Sequence, residues 1–206
     1  MKGPLDLRLY AIVDVTPAGL AVRMETIAAC LAAGVTILQV RGKDASARVL
    51  RAAARAAVGL AHARGVPVLV NDRPDVARAA GADGVHLGQS DLPATVVRRL
   101  WPDLCVGVSV HDELELRAAQ SAGADYLASG SLYPTGTKRD ATPLDHAMFR
   151  SLAASAALPL VGIGGITAER AAEVAALGAA GVAVISGLWD APDPAAAARL
   201  YRKAFP

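Results

Sequence analysis

Cysteine is nearly missing from this 206-residue chain: Cys30 and Cys105 are the only two, each inside an apolar run. No framework of spaced pairs exists. That excludes a disulfide-stapled secreted fold and predicts two buried small hydrophobes in a reduced, cytoplasmic setting. Aromatic residues are also scarce, at 4% of a composition that is 53% hydrophobic, so small aliphatic side chains are expected to fill the core. No charge of one sign dominates. The 21 basic and 19 acidic residues leave a net charge of +2, which excludes a nucleic-acid or other polyanion partner. Long apolar runs are lacking too. The longest uncharged stretches, 151–168 and 174–189, are broken by Pro159 and several glycines, so no membrane span is expected. The opening MKGPLDLRLYAIVD meets charge too early for a signal segment.

What is there has a regular rhythm. Short apolar or β-branched runs fall at 8–14, 35–41, 66–71, 84–88, 105–110, 126–131, 159–164 and 181–186. Most are continuously apolar, as parallel strands covered on both faces must be. Segments rich in Ala, Leu, Arg and Glu lie between them. In 19–33, Leu20, Met24, Ile27 and Leu31 fall on one helical face, with Arg23 and Glu25 off it. Gly34, Gly81, Gly123 and Gly178 each precede a strand, where glycine takes the left-handed helix-ending conformation without a Cβ clash. Asp44, Asp91 and Thr167 stand where helix N-caps are expected. Strict alternation of eight units predicts an α/β chain folded as a single (β/α)8 TIM barrel over 1–206. The open doubly wound rival should carry G-x-G-x-x-G after its first strand; DVTPAGL stands there instead.

In such a barrel the chemistry gathers on the loops that follow the strands. Those positions hold Gln39, Arg41, Lys43 and Asp44 after the second run, Asn71 and Asp72 after the third, and Gln89 and Asp91 after the fourth. Ser109 and His111 close the fifth. The loop SLYPTGTKRDATP, with Thr135, Thr137 and Lys138, follows the sixth and reads as a lid over the mouth. Gly164, Gly165 and Ile166 follow the seventh, and Ile185, Ser186 and Gly187 the eighth.

Three themes emerge. Asp72 and Asp91 end neighbouring strands, so their carboxylates can share a hard cation such as Mg2+; Asp91, before Leu92-Pro93, would equally suit an N-cap. Arg41, Lys43 and Lys138 offer cations for an anionic leaving group, pyrophosphate above all. Two of only four lysines lie in strand-end loops, which favours that reading over solvated surface charge. The glycine-rich and Ser-Gly ends expose N–H groups fit for a phosphomonoester, or are simply tight turns. His111 is a candidate acid or base, or a structural histidine; His86, inside a strand, is given no role.

The ordered segments LYAIVD, ILQVRGKD, LVNDRPDVA, GADGVHLGQSDLP, VGVSVH, GADYLASGSLYPTGTK, PLVGIGGIT and GVAVISG run along nearly the whole chain. Together they resemble the thiamine-phosphate synthase family. The resemblance implies a transferase that joins a pyrimidinylmethyl pyrophosphate to a thiazole phosphate with magnesium's help. It implies metal binding by Asp72 and Asp91. Pyrimidine and pyrophosphate contacts would come from Gln39, Arg41, Lys43, Asn71, Ser109 and Lys138, with Arg41, Lys43, Ser109 and Lys138 catalytic. Thiazole-phosphate contacts would come from Thr135, Thr137, Gly165, Ile185 and Ser186. The partners implied are these two small-molecule substrates, with a homo-oligomer left open.

Two positions depart from the family's pattern: Gly42 where Arg-Glu-Lys is usual, and Ser131 where Gly-Pro is usual. Two alternatives stay open. A thiazole tautomerase of the same superfamily would have a catalytic histidine at position 131 and degraded metal motifs. A silent barrel that binds a thiamine precursor would need no clamp for a leaving group.

Overall fold

Runs of Val, Leu and Ile with little room for polar side chains become strands when helices cover them, and eight such runs do so here. A computed structural model describes residues 5–16, 20, 23–136 and 143–206. Its strands are β1 (Leu9–Asp14), β2 (Ile37–Arg41), β3 (Val68–Asn71), β4 (Gly84–Leu87), β5 (Cys105–Ser109), β6 (Tyr126–Ser129), β7 (Leu160–Ile163) and β8 (Gly181–Val184). Each lies within the run expected for it. All neighbours are parallel, and β1 pairs with both β2 and β8, closing the barrel.

The helices are α1 (Met24–Ala32), α2 (Ala47–His62), α3 (Pro74–Ala80), α4 (Ala94–Leu100), α5 (Glu113–Ser121), α6 (His146–Ser155), α7 (Ala171–Ala176), α8 (Ser186–Trp189) and α9 (Pro194–Ala204). In α1, Ile27 and Leu31 are buried and Glu25 is exposed, as the spacing requires. Gly34, Gly81, Gly123 and Gly178 all have positive φ. No helix is long and apolar enough to cross a membrane among the described residues.

The expected caps are corrected. Ser46, not Asp44, caps α2 by accepting from the Val49 N–H. The helix after β4 starts at Ala94 with Pro93 ahead of it and no side-chain cap, so Asp91 is left for other work. Thr167 precedes a turn, and α7 begins only at Ala171.

The core has two compartments. Between barrel and helices lie Ala, Val and Leu side chains such as Val40, Ala54, Val106 and Leu127, together with buried Cys30. Inside the barrel lies a smaller cluster with Tyr10, Ile37, Leu69, Cys105 and Tyr126. The expectation of a purely small aliphatic core therefore fails in the barrel interior, where two tyrosines are buried. Their hydroxyls are the reason: they form hydrogen bonds that an aliphatic side chain cannot.

Candidate active site

Because every strand runs the same way, all eight C-terminal ends meet at one rim. A cavity of about 380 Å³ opens there. Gln39, Arg41, Lys43, Asn71, Asp72 and Asp91 line one side. Ser109, Thr135, Gly165, Ile185 and Ser186 also line it. Thr137 and Lys138 lie outside the described residues.

Asp72 sits one residue beyond β3 with φ 63, a left-handed conformation that aspartate adopts more readily than most side chains. Its N–H donates to the His86 carbonyl at 2.8 Å, tying the end of β3 to β4. Asp91 is anchored by the Gly88 N–H, which donates to its Oδ2 at 2.6 Å. The two carboxylates meet: burial, a hydrogen bond to Asp91 and repulsion from its charge push the Asp72 carboxyl up to about 6. Lys43 and Arg41 oppose that rise, with Lys43 Nζ 3.8 Å from Asp72 Oδ2.

Arg41 is in turn paired with Asp14, at the end of β1. Asp14 was absent from the residues expected to matter, although its place at a strand end was the available signal. Among the described residues, no cluster of three or more His, Cys, Asp and Glu forms a protein-only metal cage. Two converging carboxylates with incomplete cationic compensation instead fit Mg2+, which takes one or two carboxylates and completes its shell with water and phosphate.

At the opposite side, Gly164 and Gly165 have φ 94 and φ 61. A Cβ on Gly165 would approach the Pro134 carbonyl to 2.5 Å. Only glycine lets this turn lie under the base of the β6 loop. Tyr201 Oη donates to the Ile166 carbonyl at 2.8 Å, and Arg170 donates to the Gly165 carbonyl at 3.0 Å while lying over the Tyr133 ring. The backbone around the expected phosphate position is thus held from behind.

His111 lies at the rim with its Nδ1 2.8 Å from Glu115 Oε2. His86 points into the barrel, where it lines the cavity floor with Tyr10 and Ile12. These three were not among the expected site residues. A histidine or tyrosine interrupting an otherwise apolar strand was the signal, but strand direction decides which face it takes.

The two departures have local causes. A Cβ on Gly42 would stand 2.9 Å from Ala45 Cβ and 3.0 Å from Leu50 Cδ1, so a larger residue does not fit without movement. Ser131 Oγ donates to the Tyr133 carbonyl at 2.7 Å, committing that hydroxyl to the loop's own backbone.

The family model described as thiamine monophosphate synthase matches residues 9–188, from β1 into α8. This chain belongs to the thiamine monophosphate synthase family. A thiamine-phosphate synthase from Azorhizobium caulinodans is 44% identical over 204 residues, spanning 98% of this chain and 96% of that protein. Another from Moorella thermoacetica is 44% identical over 197 residues, spanning 95% and 94%. Among solved structures, thiamine phosphate pyrophosphorylase from Pyrococcus furiosus superposes with a TM-score of 0.87 at 35% identity, covering 98% and 96%. The 3-hexulose-6-phosphate synthase of Salmonella typhimurium, at 22% identity and TM-score 0.71 over 97% and 98% of the two chains, shares the fold alone. The barrel is shared with the Pyrococcus furiosus enzyme over nearly the full length of both chains.

Proposed function

We propose that this chain is a thiamine-phosphate synthase, a transferase that couples 4-amino-2-methyl-5-pyrimidinylmethyl pyrophosphate with a thiazole phosphate and releases pyrophosphate. The observation that carries this is the convergence of Asp72 and Asp91 beside Lys43 and Arg41 on one rim. A carboxylate pair short of positive charge, flanked by two cations, suits a metal-bridged diphosphate.

Gln39, 1% exposed at the cavity floor, would orient the aminopyrimidine, with Asn71 and Ser109 at its edges. Arg41 and Lys43 would hold the diphosphate and stabilise its growing charge as the C–O bond breaks. Asp72 and Asp91 would hold Mg2+. Bound there, magnesium would supply positive charge to the departing pyrophosphate. The Gly165 turn, Ile185, Ser186 and Thr135 would anchor the thiazole phosphate through N–H and hydroxyl donors. The ring nitrogen then lies near the pyrimidine methylene and attacks it, a gain from positioning rather than from a general base. Lys138 and Thr137 are proposed to complete the diphosphate and phosphate contacts from the β6 loop.

The test is pyrophosphate release from the two substrates with and without Mg2+. Release that requires both substrates and the metal is the expected result. Proton exchange on a thiazole carboxylate without coupling would instead assign a tautomerase, and tight precursor binding without turnover a silent binder. The tautomerase reading finds no support at position 131, where the serine hydroxyl is engaged by Tyr133.

A further inference from the structure

A chain of side-chain hydrogen bonds crosses the barrel beneath the cavity. Gln39 Nε2 donates to Tyr10 Oη. Tyr10 Oη lies 2.9 Å from Tyr126 Oη, Tyr126 Oη 2.9 Å from His86 Nδ1, and His86 Nε2 3.0 Å from Ser109 Oγ. Four of the five residues line the cavity; Tyr126, with 0% exposure, does not. Its ring takes space that β5 leaves empty: a Cβ on Gly107 would fall 2.0 Å from Tyr126 Cζ.

We propose that Tyr126 is a positioning residue that couples the two ends of this chain, fixing which hydrogen-bonding groups Gln39 and Ser109 present to the pyrimidine substrate. The inference rests on the proposed function for its substrate, but its geometry is independent of it. An amide N–H only donates, so Tyr10 Oη accepts from Gln39. The Tyr10 hydrogen then goes to Tyr126, and the Tyr126 hydrogen to His86 Nδ1. His86 consequently carries its proton on Nε2 and donates it to Ser109 Oγ. Gln39 Oε1 is left facing the cavity as an acceptor for an exocyclic amine, and the Ser109 hydrogen is left as a donor.

The opposite polarity, with His86 protonated on Nδ1, reverses both ends together. With His86 neutral, its two tautomers correspond to the two polarities of the chain, because each hydroxyl holds a single hydrogen. Burial pushes both phenols far above the usual tyrosine range, so both hydrogens are retained.

The experiment is nitrogen-15 NMR of the four histidines in the full chain, with the His86 signals assigned by their loss in His86→Gln. A pyrrole-type Nε2 and pyridine-type Nδ1 are expected in the wild type; the reverse assignment overturns the proposal. Tyr126→Phe keeps the ring and removes the bridging oxygen. It should shift His86 toward the other tautomer and lower kcat for coupling by roughly tenfold to a hundredfold, while KM for the thiazole phosphate stays within about twofold. An unchanged tautomer with near-normal kcat overturns the proposal as well. Should Tyr126→Phe not fold, the wild-type tautomer alone decides the polarity. A wild type that couples no substrates would refute the proposed function and leave the tautomer result standing.

Discussion

Asp72 and Asp91 come from the ends of adjacent strands, and burial, together with the neighbouring Asp91 carboxylate, holds Asp72 up at about 6. The folded state therefore binds the Asp72 proton more tightly than the unfolded chain, whose carboxyl stays near 3.8. The stabilisation from that proton is complete below the unfolded value and is lost as pH rises through the folded one. Asp72→Asn keeps the left-handed backbone accessible and removes the repulsion. In metal-free protein at pH 7 it should raise stability, measured as a higher midpoint in urea denaturation, while abolishing most Mg2+-dependent coupling.

The same carboxyl gives a pH signature for metal binding. A cation needs the ionised pair, so proton and metal compete. Apparent Mg2+ affinity should be level above about pH 6 and fall by about tenfold per pH unit below it, as read by titration calorimetry. A flat profile from pH 5 to 7 would place the metal elsewhere.

Lys43 is exposed and makes a long ion pair to Asp72, so its removal should leave the fold unchanged. Lys43→Ala is expected to lower kcat by on the order of a hundredfold, in line with loss of one charge-stabilising donor. Circular dichroism and melting temperature should match the wild type.

Asp14 aligns the Arg41 guanidinium across the β1–β2 pair. Asp14→Ala leaves the cation in place but frees its orientation. KM for the pyrimidine pyrophosphate should rise by roughly three- to tenfold with a smaller change in kcat. Steady-state kinetics with the thiazole phosphate saturating would measure this, and an unchanged KM would remove Asp14 from the site.

Gly107 has no room for a methyl group, because the Tyr126 ring fills the position. Both sit in the packed barrel interior, so the ring cannot swing into solvent. Gly107→Ala should cost about 1–3 kcal/mol, seen as a lower midpoint in denaturant.

The primary sequence determined the barrel. Continuous apolar runs, glycines at helix ends and strict alternation leave few other ways to bury the strands. It also determined which residues reach the rim, since every parallel strand brings its end to the same face. Gln39, Arg41, Asn71, Asp72, Asp91 and Ser109 could be read from position alone, and all line the cavity.

Tertiary structure decided three things that chain order does not encode. Asp91 suits a helix cap by its local sequence, and only the later start of α4 at Ala94 and the hydrogen bond from Gly88 turn it toward Asp72. His86 faces inward because barrel closure gives β4 a particular roll, which periodicity within four residues does not specify. The polar line from Gln39 to Ser109 joins residues of five different strands. Its members become neighbours only when the sheet closes and excludes water, which makes pairing among themselves the way their buried polar atoms are satisfied.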